Sequence, residues 1–126
     1  MLARLREAAE LGRTDRKAAI KAYDEIAADR SVGQVIQDLA TLRAGILLVD
    51  SSSYGEMRAR LEPLTRPDRA FRHSARELLA LSAWKEGDMG AARQWTDMII
   101  TDPQTPSAAR NRAQVLSELI AASGKG

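Results

Sequence analysis

Few residue types in this chain could do chemistry, and they do not converge in the sequence. His73 is the only histidine, and there is no cysteine and no second imidazole with which it could share a metal ion. Many carboxylates lie near a basic residue at helical spacing, as Glu62 does with Arg58 and Glu77 with Arg76. Such pairs are typical of a solvated helix surface. Without a phosphate-binding glycine loop either, the chain is predicted to be no enzyme and to hold no metal or cofactor.

An arginine-rich segment could form a basic patch. Its members are Arg58, Arg60, Arg66, Arg69, Arg72 and Arg76. Carboxylates interrupt the segment, and Phe71 is the only aromatic residue within it. Nucleic-acid surfaces usually combine basic with aromatic side chains, so no nucleic-acid partner is implied. We expect a salt-bridged surface, with attraction of an acidic protein or of lipid headgroups as the alternative.

Composition and length predict one helical domain. The chain has 126 residues, of which 44% are hydrophobic, mostly alanine and leucine, and its net charge is +2. Such a core must come from many small helix contacts. The longest apolar run, 46–49, is far shorter than the roughly 20 residues that cross a bilayer. Arginines interrupt the first residues, MLARLREAAELG, where a signal peptide needs its apolar core. The absence of cysteine leaves the compartment open.

Two amphipathic helices joined by one turn are predicted over residues 73–103. Apolar residues recur at three- and four-residue spacings on both sides of Gly87 and Asp88. A glycine lets the chain leave the first helix, and an aspartate can accept the free amides that open the second. The short side chains of Ala80 and Ala92 would let the two helices approach closely. We therefore predict a helical hairpin here.

Similar patterns predict the other helices. The first spans residues 1–12 and ends at Gly12, and the second runs from Asp15 to Ala28. Ser31 is expected to cap a third helix that continues to Val49. Ser53 and Glu56 have the spacing of a capping box for a short fourth helix. Superposing the hairpins by their turns makes Ala19, Met57 and Ala92 equivalent.

The last part of the chain predicts three further helix ends. Asp68 is preferred to Ser74 as the start of the fifth helix, and the Asp-Pro pair at 102–103 is expected to close the sixth. Thr105 should open the last helix, with Pro106 in its first position. The residues predicted to face inward on this helix are Ala109, Ala113, Leu116, Leu119 and Ile120, and those predicted to face water are Arg110, Arg112 and Glu118.

These features resemble the tetratricopeptide repeat, which has a small residue midway in each helix, a Gly-Asp turn and a proline at the exit. The resemblance implies an all-α, right-handed superhelix within a single domain, residues 1–126. Its parts would be three antiparallel hairpins, residues 1–29, 31–65 and 68–102, and a capping helix, residues 105–122.

Helical-repeat proteins bind partners along the surface lined by the first helix of each hairpin. When the chain is aligned with the repeat pattern, the residues predicted to bind a partner on this surface are Ile46, Val49, Glu77, Leu81, Trp84 and Lys85. Trp84 either packs under the last helix or stands in the groove as an anchor for a peptide. The helix around 46–49 is apolar on every side, so neighbouring hairpins cover it or it offers a binding face.

Three longer phrases resemble one bacterial family. They are YDEIAADRSVGQVIQDLATLRAGILLVD from Tyr23, RHSARELLALSAWKEGDMGAAR from Arg72 and DPQTPSAARNRAQVLSELI from Asp102. They are similar to the tetratricopeptide-like domain of the YfgM-like proteins, ancillary Sec translocon subunits, in their alphaproteobacterial form. The resemblance extends from about Leu11 to Ile120. It implies a periplasmic domain on an inner-membrane anchor, with translocon and chaperone components as protein partners.

The sequence departs from that pattern because it contains no membrane anchor, and the simplest hypothesis is a fragment that lacks an upstream anchor. The resulting prediction is a non-enzymatic protein–protein interaction module of the bacterial envelope. The alternative is a cytosolic or self-associating scaffold, a homo-oligomer in which the apolar segment 46–49 faces a second copy.

Overall fold

Helices form all the regular structure that the computed structural model describes, which is residues 2–123. The α-helices are α1 (Leu2–Thr14), α2 (Arg16–Ala28), α3 (Gln34–Leu48), α4 (Tyr54–Leu61), α5 (Arg72–Lys85), α6 (Met89–Thr101) and α7 (Ser107–Ser123). Short 3-10 helices occupy Arg30–Val32 and Glu62–Thr65. The predicted all-α class is confirmed.

Helices that follow one another in the chain pack against each other. In addition, α5 contacts both α3 and α7, which places α5 at the centre of the second half of the molecule. The buried residues form three clusters along this stack. The first cluster is centred on Tyr23 and Ile26, the second on Leu61 and Leu79, and the third on Ile120.

The α5–α6 hairpin has the predicted turn. Gly87 has a φ of +82°, a backbone conformation that glycine adopts without steric cost. The Asp88 carboxylate accepts a hydrogen bond from the Ala91 amide at 3.1 Å, and it thereby caps α6. Ala80 and Ala92 are both fully buried, as the close approach of two helices requires. The prediction of this hairpin is confirmed.

Three predicted helix starts are wrong. Ser31 does not cap α3, because its hydroxyl donates to Asp29 and its backbone lies in a 3-10 helix. Gly33, with a φ of +90°, directly precedes α3 instead. Neither Asp68 nor Ser74 opens α5, since the helix begins at Arg72 after a series of turns.

The third wrong start is that of α7. The helix begins at Ser107, one residue after Pro106. Thr105 does not cap it, because the Thr105 hydroxyl is buried and donates to the Ile99 carbonyl at 2.7 Å. At the other end of the chain, α1 does not stop at Gly12 but continues to Thr14. Residue 1 of the predicted first helix lies outside the described residues.

Long-range ion pairs hold the connections between helices. Arg69, in the turn before α5, binds Asp38 of α3 through two hydrogen bonds of 2.8 and 2.9 Å. Arg76 of α5 donates to the Thr65 carbonyl and to Asp102, which follows α6. These side chains fix the position of α5, and α5 in turn provides the centre of the site described next.

Candidate functional site

An open trough extends across α3, α5 and α7. Its first half is a depression of about 280 Å³ between α3 and α5, lined by Leu42, Ile46, Ser74, Glu77, Leu78 and Leu81. The second half, of about 190 Å³, lies between α5 and α7 over buried residues of α6. Glu77 and Leu81 line both halves, so the two depressions adjoin. We call this surface the α3–α5–α7 trough.

Exposed apolar side chains project along the trough. Ile46 of α3 is 53% exposed and Leu81 of α5 is 38% exposed. Val115 and Leu119 lie one turn apart on α7 and are 57% and 47% exposed. Isolated exposed hydrophobic residues are common, but several along one depression are typical of a protein-binding surface.

An ion pair bridges α5 and α7 at the trough. Arg112 donates to both carboxylate oxygens of Glu77, at 2.5 and 3.1 Å. The Glu77 carboxylate, through these hydrogen bonds, raises the pKa of Arg112. The predicted pairing of Glu77 with Arg76 is therefore wrong. Arg112 faces water as predicted, since its side chain is 60% exposed.

Two predictions for side chains of α7 are wrong. Leu119 does not face inward but lines the trough. Arg110 does not face water; its guanidinium is partly buried and donates to the carbonyls of Ile100, Asp102 and Thr105, which lie at and just beyond the end of α6. Arg110 therefore caps α6 and fixes the connection to α7.

The structure brings half of the predicted partner-binding residues together. Ile46, Glu77 and Leu81 line the trough, whereas Val49, Trp84 and Lys85 do not. Val49 is partly buried against the cluster around Leu79. The Lys85 ammonium lies 2.5 Å from the Asp50 carboxylate, and its hydrogen bond lowers the pKa of Asp50. These two residues thus connect the end of α5 to the end of α3.

Trp84 packs against the third buried cluster, which includes Ala92 of α6 and Ile120 of α7. Its indole nitrogen is buried, and no described residue accepts a hydrogen bond from it. The Trp84 side chain therefore belongs to this packed region, which favours the first of the two alternatives considered for it. A direct role of Trp84 in partner binding stays a prediction.

Sequence reasoning missed part of the trough. Ser74 and Leu78 belong to it on α5, and Val115 belongs to it on α7. One signal was present: α7 carries apolar residues at 113, 115, 116, 119 and 120, a stripe wider than one helix contact covers. Such a width indicates a helix with both a packed edge and an exposed edge.

A second polar cluster surrounds Asp102. Arg72 and Arg76 each donate to the same Asp102 oxygen at 2.9 Å. The Arg72 guanidinium and the backbone N–H of Gln104, which both donate to the Asp102 carboxylate, hold the pKa of Asp102 far below its usual range. His73 lies 4.0 Å from this carboxylate, and burial followed by the nearby Arg72 charge lowers the pKa of His73. Because Arg72 and Arg76 already have hydrogen-bond partners, we interpret the cluster as a structural junction between α5 and α6.

Most arginines of the arginine-rich segment form ion pairs. Arg58 pairs with Glu62 and Arg60 with Asp24, and the partners of Arg69, Arg72 and Arg76 are given above. The expectation of a salt-bridged surface is confirmed for Arg58 and Arg60, whereas the pairs of Arg69, Arg72 and Arg76 are largely buried.

The described residues contain neither a metal-binding cluster nor a membrane-spanning helix. Between residues 2 and 123, no three His, Cys, Asp or Glu side chains are grouped so that they could hold a metal ion. Over the same residues, none of the helices combines the length and the apolar character needed to span a bilayer.

In comparisons with known proteins, the chain matches no family model, no curated protein and no solved structure.

Proposed function

We propose that this chain is a non-enzymatic protein–protein interaction module that holds a partner in the α3–α5–α7 trough. The observation that carries the proposal is the set of exposed apolar side chains along two adjoining depressions: Ile46, Leu81, Val115 and Leu119. Burying such side chains against a partner removes apolar area from water, at roughly 25 cal/mol per Å². The depressions are open and largely apolar, which suits a segment of another protein better than a small polar substrate.

We further propose that the helices form a tetratricopeptide-like superhelix. In such an array, the first helix of each hairpin contacts the first helix of the next. The contacts of α5 with α3 and with α7 have this pattern, which supports the proposal. Full burial of Ala19, Met57 and Ala92, the residues made equivalent by superposing the turns, supports it as well.

The cellular setting rests on the resemblance to the YfgM-like proteins. On that basis the module belongs to the periplasmic side of the bacterial inner membrane, with translocon or chaperone components as partners. A second candidate is a self-associating or cytosolic scaffold, in which Ile46 and its exposed neighbours pack against another copy. The exposure of Ile46, at 53%, is what favours keeping this candidate.

Site-specific photo-crosslinking in bacterial cells tests the proposal. A photoreactive residue at Leu81 should yield defined products, while one at the exposed Arg93 of α6 should yield few. Products that contain Sec translocon subunits or periplasmic chaperones would support the envelope setting. A product at twice the mass of the chain would favour self-association, and equal, diffuse labelling at both positions would contradict a binding role for the trough.

A further inference from the structure

The α3–α5–α7 trough continues past Ile46 towards the first helix. A third depression, of about 330 Å³, lies between α1 and α3, and Ile46 lines it as well. Its other lining residues are Ala8, Ala9, Gly12, Arg13, Tyr23, Arg43 and Leu47. We call it the α1–α3 depression. A ligand seated along the trough would therefore meet this depression at its α3 end.

The α1–α3 depression has small residues on one side and two arginines beside them. Ala8, Ala9 and Gly12 carry little or no side chain, which leaves room for a ligand against α1. Arg13 is exposed and Arg43 partly exposed. Within residues 2–123, neither guanidinium forms an ion pair or a side-chain hydrogen bond, unlike most arginines of residues 58–76.

The charge along the whole surface is therefore uneven. The three depressions are lined by three arginines and one glutamate, and Glu77 already pairs with Arg112. The remaining positive charge lies at the α1–α3 end, and the exposed apolar side chains extend from Ile46 to the α5–α7 end. An occupant that complements both ends needs carboxylates at one end and apolar side chains over the rest.

From this arrangement we infer that the occupant is an acidic amphipathic segment of a partner protein, with carboxylates against Arg13 and Arg43 and apolar side chains over Ile46, Leu81, Val115 and Leu119. This inference rests on the proposed function, because it names the chemistry of the partner that the trough holds. Nucleic acid would satisfy the arginines but would leave the apolar part of the trough uncovered. A second copy of the chain would have to bring its own acidic segment to the same place.

Two matched peptides test the inference on the full chain. Both are amphipathic with leucines on one face; one carries glutamates at one end, and the other carries lysines at those positions. Fluorescence anisotropy should show that the acidic peptide binds roughly threefold to tenfold more tightly, the effect expected for two exposed charge pairs. The preference should shrink as the salt concentration rises.

Charge-reversal variants locate the effect. The double variant Arg13→Glu/Arg43→Glu should lose or invert the preference for the acidic peptide. The control double variant Arg66→Glu/Arg93→Glu changes the net charge equally at exposed positions outside the three depressions, and it should keep the preference. Circular dichroism checks that both variants fold, which we expect since none of the four side chains forms an ion pair with a described residue.

A third variant, Leu81→Asp, separates failure of the inference from failure of the proposed function. If both peptides bind equally and Leu81→Asp abolishes this binding, the inference of an acidic partner is overturned, but the trough remains a docking surface. The same would follow if the control double variant lost the preference as fully as Arg13→Glu/Arg43→Glu. Absence of any effect of Leu81→Asp on peptide binding would overturn both. Self-association that Leu81→Asp removes, without peptide binding, would identify a second copy as the occupant and overturn the inference.

Discussion

Arg69 and Asp38 form a two-point ion pair across 31 residues of sequence, with the Arg69 Nε and Nη2 atoms 2.8 and 2.9 Å from the two oxygens of Asp38. The Asp38 side chain is only 5% exposed, and it also accepts a hydrogen bond from Gln34. This pair attaches the turn before α5 to α3. It therefore helps to set the width of the trough between these helices.

We expect Arg69→Met to lower the free energy of unfolding by about 3 kcal/mol, because the variant leaves a buried carboxylate without its ionic partner. Urea denaturation measures this change. Arg58→Met is the matched control: it removes an exposed pair with Glu62, and should cost less than about 1 kcal/mol. Equal changes in the free energy of unfolding for the two variants would show that the Arg69–Asp38 pair contributes no more to stability than the exposed pair does.

Ala92→Leu should overpack the contact between α5 and α6. Ala92 is fully buried, so a larger side chain must displace its neighbours, at a cost of roughly 1–3 kcal/mol. Thermal unfolding followed by circular dichroism is the measurement, with Ala59→Leu on the exposed side of α4 as the control. An unchanged melting temperature for Ala92→Leu would contradict the hairpin packing described above.

Two glycine-to-alanine changes should have opposite signs. At Gly45, an added Cβ would lie 3.2 Å from a methyl carbon of the fully buried Leu61. We expect Gly45→Ala to destabilise the fold by about 1 kcal/mol, because overpacking exceeds the gain in helix propensity. At Gly90, the nearest atom is an oxygen of Asp88 at 3.9 Å, so Gly90→Ala should stabilise by up to about 1 kcal/mol. Urea denaturation of both variants checks the signs, and stabilisation by Gly45→Ala would contradict the close approach of α3 to Leu61.

The stability of the protein should fall as the pH decreases below about 6.5, the ordinary pKa of histidine. Burial and Arg72 lower the pKa of His73 in the folded state, so the unfolded chain binds a proton first. The contribution of neutral His73 to the free energy of unfolding is thus complete above about pH 6.5, and it is lost as the pH falls through the pKa of His73 in the folded state. Urea denaturation at several pH values should show a shallower decline for His73→Gln than for the natural sequence. A parallel decline in both proteins would mean that His73 does not contribute.

The α5–α6 hairpin could be predicted from sequence because its signals are local. Gly87, Asp88 and the alanines at 80 and 92 act within one hairpin, and the structure has the predicted turn and burial. The starts of α5 and α7 could not be predicted from capping residues. Before α5, the turn is held by the Arg69–Asp38 pair, whose members lie 31 residues apart. Before α7, the Thr105 hydroxyl donates to the Ile99 carbonyl instead of capping the helix.

The trough was only partly predictable for the same reason. Ile46, Glu77 and Leu81 follow from helical periodicity on a repeat pattern, and they line the same surface. The removal of Lys85 from that surface depends on Asp50, which lies 35 residues away. The exposure of Leu119 depends on how α7 is rotated against α5 and α6, and periodicity within one helix does not determine that rotation.

Methyl NMR of the full chain during titration with the acidic peptide tests the central claim most directly, namely that the α3–α5–α7 trough is one docking surface. The account predicts concentration-dependent shifts of the Ile46, Leu81, Val115 and Leu119 methyl groups, with the exposed Met98 methyl of α6 unchanged. Shifts centred on Met98, or shifts confined to one of the two halves of the trough, would contradict it.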